Sequence, residues 1–312
     1  MDVLQQIPFL HAISGLIMPI PAAFTAVVLI WATTPLAIQW SGRDVSFLFG
    51  LSSRMVIGLV ILLALHLLLR KPIPLDSQAQ RVYLAGGLGL FTAMTCVYWA
   101  AQYMPSGWIS VIFGLTPIAT GVMATIWLNE KTFTAAKLFG KILGITGLAI
   151  MLLNKGDYGV LAPLGIMLVL ASVLSLSAST VWVKRLGADI DGMTVTTGSL
   201  LVATPLYLIT WQIFDGHWPQ SIPLLAVVAI VYLGVFGSVI GFVLYYYLLR
   251  RISAHQTVLI TLITPVIALW LGHWLNNEII TPTVIVGTGL ILLSLLSHEF
   301  GDSLLLKLIK TR

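Results

Sequence analysis

Charged side chains are scarce in this chain. Asp, Glu, Lys and Arg together make up 9% of its 312 residues, apolar residues make up 58%, and the mean hydropathy is +1.01. Soluble domains carry about 25% charged residues, so a fold that presents its whole surface to water is excluded. Cys96 is the single cysteine, which excludes a disulfide framework or a zinc site built from several cysteines. Composition therefore predicts an all-α integral membrane protein that holds no metal.

The basic residues are few and form no stripe. The sequence pI is about 9.4 and the formal net charge is +5, but Lys and Arg are spread over short loops. We therefore expect a lipid bilayer and a small-molecule substrate as partners, and no nucleic acid. The oligomeric state stays open, and a monomer is compatible with the sequence. Since no Lys or Arg precedes Arg43, a cleaved signal peptide is not expected, and residues 1–20 are predicted to form an interfacial segment.

Apolar runs of about 20 residues, long enough to cross the ~30 Å hydrocarbon core as helices, follow one another along the chain. They lack the alternation of a transmembrane β-strand. Ten spans are predicted, at Pro21–Trp40, Phe49–Leu69, Val82–Gln102, Gly107–Leu128, Ala136–Leu153, Val160–Val183, Thr194–Phe214, Pro223–Leu249, Ala254–Leu275 and Thr283–Phe300.

The distribution of Lys and Arg between alternate loops predicts the orientation. One set of loops holds only Arg43 and Lys155, and the other set and the tail hold nearly all the remaining basic residues. Because cytoplasmic loops carry the excess of positive charge, both termini are expected in the cytoplasm.

An internal repeat is the most specific pattern in the sequence. Thr116-Pro117 followed by Asn129-Glu130 recurs with the same spacing as Thr264-Pro265 followed by Asn277-Glu278, and Tyr98 corresponds to Tyr246. Each repeat holds an odd number of spans, so the second is predicted to be inverted relative to the first. The predicted units are residues 21–154 (helices 1–5) and 155–303 (helices 6–10), followed by a cytoplasmic tail at 304–312. Inverted repeats are typical of secondary transporters, which bind substrate at the repeat interface.

These motifs, together with the segment Tyr245-Tyr246-Tyr247-Leu248-Leu249-Arg250-Arg251, resemble the EamA-type members of the drug/metabolite transporter superfamily. The resemblance covers nearly the whole chain. It implies two inverted five-helix repeats around a central cavity, and export of amino acids, related metabolites or drugs across a bacterial-type inner membrane. Many members carry a tryptophan in the first span of each half. Here Trp31 has no evident counterpart, because its place falls near Ser175.

Two prolines are candidates for hinges. Pro117 and Pro265 lie inside predicted spans, where a proline removes a backbone hydrogen bond and kinks the helix. They are expected either to hinge two related helices or to hold static kinks that improve packing.

Several side chains are candidates for lining the cavity. Trp31, Tyr98, Trp99 and Tyr246 lie deep in predicted spans and offer aromatic surface to a substrate. Ser175 and Ser179 fall on one face of the sixth span, where they either line the cavity or bond a neighbouring helix.

Arg54 is the candidate charge within the membrane. It lies in the second span near its outer end, and a guanidinium there needs a polar partner or a route to water. One interpretation is that it donates to carbonyls or helix ends and locks helices together. The other is that it pairs with the carboxylate of an amino-acid-like substrate, which its forked geometry suits.

The sequence therefore predicts a secondary transporter that works by alternating access. Because the spans hold no mid-membrane carboxylate, facilitated diffusion, exchange, or a proton step without a buried acid are the expected modes. A passive facilitator or channel remains an alternative. A membrane-embedded enzyme is not expected, since no Gly-x-Ser-x-Gly, His-Glu-x-x-His or paired-aspartate motif is present, and no motif indicates a cofactor.

Overall fold

The computed structural model describes residues 19–128, 134–152, 161–186, 189–249, 251–252 and 254–310. At 135–137, 152, 246, 249, 254–258, 299–300 and 302–310 it describes the backbone alone. The predicted interfacial segment lies largely outside these residues, as do Asn129, Glu130 and Lys155.

The described residues form helices joined by short turns and contain no β-strand. The prediction of an all-α fold is confirmed. The helices are α1 (Ile20–Ser41), α2 (Phe47–Leu68), α3 (Ser77–Ala100), α4 (Ser106–Phe113), α5 (Thr116–Leu128), α6 (Ala135–Leu152), α7 (Ala162–Leu186), α8 (Gly192–Phe214), α9 (Leu224–Tyr232), a π-helix (Leu233–Ile240), α10 (Gly241–Leu249), α11 (Ala254–Asn276) and α12 (Pro282–Lys310).

Eight helical segments of the described chain are long and apolar enough to cross a membrane, counting α4–α5 as one and α9 through the start of α10 as another. Two further apolar stretches, Leu138–Met151 and Pro282–His298, are shorter. All ten predicted spans fall on these segments. Many large apolar side chains are exposed, including Leu67, Phe214 and Leu224. Such a surface suits lipid rather than water, and the chain is a multi-pass membrane protein.

Aspartates cap the N-termini of two helices at one end of the molecule. The carboxylate of Asp76 accepts backbone N–H groups at the start of α3, and that of Asp191 does the same for α8. Lys71 Nζ lies 2.7 Å from Asp191 Oδ1, and Thr194 also donates to Asp191. Burial alone would raise the pKa of the Asp191 carboxyl, but these hydrogen bonds and the charge of Lys71 outweigh it and lower that pKa.

Two of the membrane-crossing segments are irregular. The fourth breaks after Phe113. Pro117, four residues later, has no backbone N–H to donate to the carbonyl of Phe113. The segment formed by α9, the π-helix and α10 is the eighth of the ten predicted spans, and we call it the eighth segment. It passes through the π-helix, an insertion that is frequent at functional sites. By contrast, α11 continues through Pro265 without a break.

Neighbouring helices approach closely through glycines. α6 packs along α12, where a Cβ on Gly140 would come within 2.8 Å of the Ser294 carbonyl oxygen. α3 packs against α7 and α8, and a Cβ on Gly89 would overlap the Ser179 side chain. α1 and α2 pack against the segment from α9 to α10, and α4 packs against α11. Gly140 therefore has the packing role that small residues take between membrane helices.

Candidate functional site

Arg54 is buried where α2 meets the π-helix, with 4% of its surface exposed. Its Nε donates to Ser238 Oγ at 3.0 Å, and its Nη1 lies 3.5 Å from the hydroxyl of Tyr98. Tyr98 comes from α3 and is fully buried. The guanidinium therefore joins α2 and α3 in the first half of the chain to the π-helix in the second.

Two glycines of the second half allow close packing on the same face of the eighth segment. A Cβ on Gly237 would lie 3.2 Å from Arg54 Nη2, and one on Gly241 would lie 3.4 Å from Trp31 Nε1. The ring of Trp31 also contacts that of Tyr245, with 4.8 Å between the centroids. Since Gly237 and Gly241 are four residues apart, Arg54 and Trp31 flank one helical face. The structure thus brings Arg54 and Tyr98 together and places Trp31 one turn further along the same face of the eighth segment.

Polar bonds around this point link further helices. The Tyr207 hydroxyl of α8 donates to the Leu90 carbonyl of α3 at 2.7 Å, while Ser52 Oγ donates to the carbonyl of Tyr207 at 3.2 Å. Thr33 of α1 and the hydroxyl of Tyr232 lie 2.6 Å apart. Several hydroxyls and the guanidinium of Arg54 therefore bond across an otherwise largely apolar interface between the halves, and no carboxylate of the described residues contacts Arg54.

Ser175 and Ser179 lie elsewhere, at the contact between α7 and α3. Ser179 Oγ donates to the Ala85 carbonyl at 2.9 Å. This contact supports the alternative in which the serine bonds a neighbouring helix. Both serines line an open crevice of about 550 Å³ whose other walls are mostly apolar side chains of α3 and α7. Trp99 is 42% exposed and donates to the hydroxyl of Tyr103. The structure does not bring these three residues to Arg54.

The remaining candidates are Tyr246 and the two prolines. The side chain of Tyr246 lies outside the described part of the chain. Pro117 is at the start of α5, directly after the break at Gly114–Leu115, whereas Pro265 is inside continuous α11. Thr264 Oγ1 donates to the carbonyl of Ile260 within its own helix.

A second polar cluster closes one end of the interface between the halves. Glu278, in the turn after α11, accepts from the backbone N–H of Ser106 at 2.9 Å and of Gly107 at 3.2 Å, so its carboxylate caps α4. Asn277 has a φ of 54°, which turns the chain back toward α4. Gly272 leaves the space that the carboxylate occupies, because a Cβ there would overlap Glu278 Oε2.

The same cluster reaches α1 through Asn276. Asn276 Nδ2 donates to Glu278 Oε1 at 3.1 Å and to Gln39 Oε1 at 2.9 Å, and Trp40 Nε1 donates to Asn276 Oδ1 at 3.3 Å. Gln39 Nε2 in turn donates to the Met104 carbonyl at 2.8 Å. We call Gln39, Trp40, Asn276 and Glu278 the end cluster. It ties α1 and the start of α4 to the end of α11.

Sequence reasoning missed Ser238 as a partner of Arg54 and missed the end cluster. The repeated Asn277-Glu278 pair was a signal for Glu278, placed at a helix terminus. Nothing local marks Gln39 or Asn276 as a pair, because they bond each other across 237 residues of sequence. Among the described residues no group of three His, Cys, Asp or Glu side chains is placed to hold a metal.

Known proteins resemble this chain over most of its length. A "Probable terminal-alkyne amino-acid exporter" of Streptantibioticus cattleyicolor is 28% identical over 86% of this chain and 89% of its own. The "Uncharacterized inner membrane transporter YedA" of Escherichia coli K12 is 26% identical over 92% of this chain and 93% of its own. An "Uncharacterized transporter" of Archaeoglobus fulgidus is 27% identical over 86% of this chain and 94% of its own.

A solved crystal structure supports the same fold, with a TM-score of 0.62 at 19% identity over 91% of this chain and 97% of its own. The sequence model of the EamA-like transporter family matches twice, at residues 18–153 and 163–297. Because these two matches cover most of the sequence, and because the names of the relatives indicate transport rather than catalysis, this chain belongs to the EamA-like transporter family.

Proposed function

We propose that this protein exports small metabolites, amino acids or related amphipathic compounds, across the inner membrane as a secondary transporter. Ten membrane helices form two inverted five-helix repeats, and substrate binds at their interface in alternating access. The Streptantibioticus relative, named as a probable amino-acid exporter, and the E. coli relative, named as an inner membrane transporter, support the substrate class and the location.

The pattern of helix contacts supports the inverted repeats. If each half holds five spans, the contact of α3 with α7 corresponds to the contact of the eighth segment with α1. The contact of α5 with α7 likewise corresponds to that of α11 with α1. The contact of α3 with α8 likewise corresponds to that of the eighth segment with α2. Spans that would be counterparts of each other, such as α6 and α12, pack against each other. A twofold axis in the membrane plane produces this exchange of partners.

The observation that carries the proposal is the contact of Arg54 with Ser238. It places a buried guanidinium between the halves, with Tyr98 beside it and Trp31 one turn further along the eighth segment, and a transporter of this architecture binds substrate at that interface. A polar group that is kept inside a membrane at this cost points to function. Trp31, Arg54 and Tyr98 are therefore the substrate-binding residues that we propose.

Alternating access needs one closed end and elements that move. The end cluster supplies the closure at the end that carries Arg43, which the distribution of basic residues assigns to the outside. The break before Pro117 supplies a hinge in the fourth span, and Pro265, inside continuous α11, is the hinge that we propose in the related span.

Counterflow in proteoliposomes tests the transport mechanism. Vesicles that contain the purified protein and are loaded with an unlabelled amino acid should take up the labelled compound transiently against its gradient and with saturation. A channel would give a flux that neither saturates nor shows counterflow, and that result would replace alternating access with the passive alternative.

The orientation has its own test. A fluorescent protein fused after Arg312 should fold and fluoresce in the cytoplasm, and cysteines near Arg43 and Lys155 should react with impermeant reagents from outside. Outside labelling of cysteines beside Arg70 or Lys131 would reverse the proposed topology.

A further inference from the structure

We propose that Arg54, with the hydroxyls of Tyr98 and Ser238, forms a subsite for a single carboxylate of the substrate. This inference deepens the proposed function and rests on it, since it names the chemical group that the interface between the halves recognises.

The first argument is the incomplete pairing of a buried cation. A guanidinium offers five N–H donors, and the structure gives Arg54 two acceptors, both neutral hydroxyls. No carboxylate of a described residue contacts it, although only 4% of its surface is exposed. Removing a charge from water without an opposite charge is costly, and an anion bound at this point compensates for it.

The second argument is that helix packing at this position does not need a cation. The spacing that relates Thr116 to Thr264 also relates Arg54 to Val202 on α8. Val202 makes an aliphatic contact at the equivalent helix crossing, because a Cβ on Gly87 of α3, two residues before the counterpart of Gly237, would lie 2.6 Å from the Cβ of Val202. An apolar residue packs the equivalent crossing, so the guanidinium in the first half serves a purpose other than packing.

The third argument concerns which anion fits. The planar fork of arginine matches a carboxylate with two parallel hydrogen bonds, and the two hydroxyls can each donate a proton to it. Lys141, another cation well inside a described helix, is on α6, which packs mainly along α12 and away from this contact. One guanidinium balances the single charge of a carboxylate better than the double charge of a phosphate monoester.

The carboxylate would enter where the π-helix packs against Arg54. Gly237 and Gly241 let the backbone of the eighth segment approach Arg54 and Trp31 closely, since a Cβ at either position would lie within 3.4 Å of these side chains. In the alternating access that we propose, movement of the halves opens this contact, and a carboxylate bound at Arg54 leaves the rest of an amino-acid-like molecule on the side of Trp31, whose indole face attracts both apolar and cationic groups.

Matched sets of compounds test the subsite on the wild-type protein. Counterflow into proteoliposomes is measured for leucine, phenylalanine and methionine, and for the amide and the decarboxylated amine of each. The acids should be carried, and the amides and amines should be carried at least about tenfold less well, because the paired charge is missing. Amides carried as well as the acids would overturn the carboxylate subsite and leave the proposed function standing. Counterflow of none of these compounds would count against the proposed function itself.

Variants then assign the subsite to Arg54. Arg54→Lys keeps the charge but loses the fork, so KM for the acids should rise about tenfold to a hundredfold, and Arg54→Gln should abolish the preference for acid over amide. Arg43→Gln removes an exposed cation at the same end of the molecule and should leave KM unchanged. If Arg54→Gln does not purify as a folded protein, Tyr98→Phe takes its place and should raise KM for the acids alone. An unchanged acid preference in the folded variant would overturn the assignment.

Discussion

Replacement of Glu278 by alanine should open the end of the transporter that the end cluster closes. The carboxylate holds the start of α4 through the backbone N–H groups of Ser106 and Gly107 and also accepts from Asn276. Hydrogen bonds to a charged group contribute about 1.5–3 kcal/mol each. Because this cluster is partly exposed, the lower value applies, and the two backbone bonds together stabilise the closed end by about 3 kcal/mol.

This magnitude converts into a change of population. If the bonds form only when the end is closed, losing about 3 kcal/mol shifts the equilibrium toward the open form by about a hundredfold. Glu278→Gln keeps one acceptor oxygen but loses the charge and the second acceptor, so its effect should be about tenfold.

Cysteine accessibility measures the shift. Cys96 is replaced by alanine, and Ser238→Cys places one thiol beside Arg54. The rate of labelling by an impermeant thiol reagent from the Arg43 side should rise by these factors in the Glu278 variants. Asp215→Asn is a matched control at the same end, because Asp215 accepts from Trp211 within its own helix region and takes no part in the end cluster. An unchanged labelling rate in Glu278→Ala would refute the reasoning that the end cluster is a gate.

Two further predictions concern stability in detergent. Gly89→Ala should lower the free energy of unfolding by about 1–3 kcal/mol, because the new Cβ would overlap Ser179. Gly289→Ala is the control and should be neutral, because its Cβ would have no neighbour within 4 Å. Thermal unfolding measures both variants. The Lys71–Asp191 pair stabilises the protein above the ordinary carboxyl pKa of about 3.9, and this contribution is lost as the pH falls through the lowered pKa of folded Asp191. The Lys71 side chain is 38% exposed, so Lys71→Met should lower the free energy of unfolding by at most about 1 kcal/mol at pH 7 and by less in acid. A larger loss in acid than at pH 7 would contradict this sign.

The all-helical membrane fold could be predicted from the sequence because apolar length and the scarcity of charge leave few alternatives. A lipid-facing helix must satisfy its own backbone and must be about 20 residues long, so composition and run length alone locate it. The repeated Thr-Pro and Asn-Glu pairs also indicated the family, since motif spacing along the chain does not depend on how the helices pack. Arg54 was recognisable as a functional candidate for the same reason: a guanidinium in an apolar run stands out without any coordinates.

The tertiary structure alone decided which face of each helix meets which neighbour. Tyr98 and Trp99 are adjacent in sequence, yet one is fully buried next to Arg54 and the other is exposed, because successive residues point about 100° apart around a helix. Ser179 bonds α3 for the same reason, and Pro117 breaks its span while Pro265 does not. The partners Ser238 and Asn276 come from the distant half of the chain. In a membrane nearly every helical face is apolar, so hydrophobic periodicity cannot predict these rotations, and close packing through glycines and a few hydrogen bonds sets them instead.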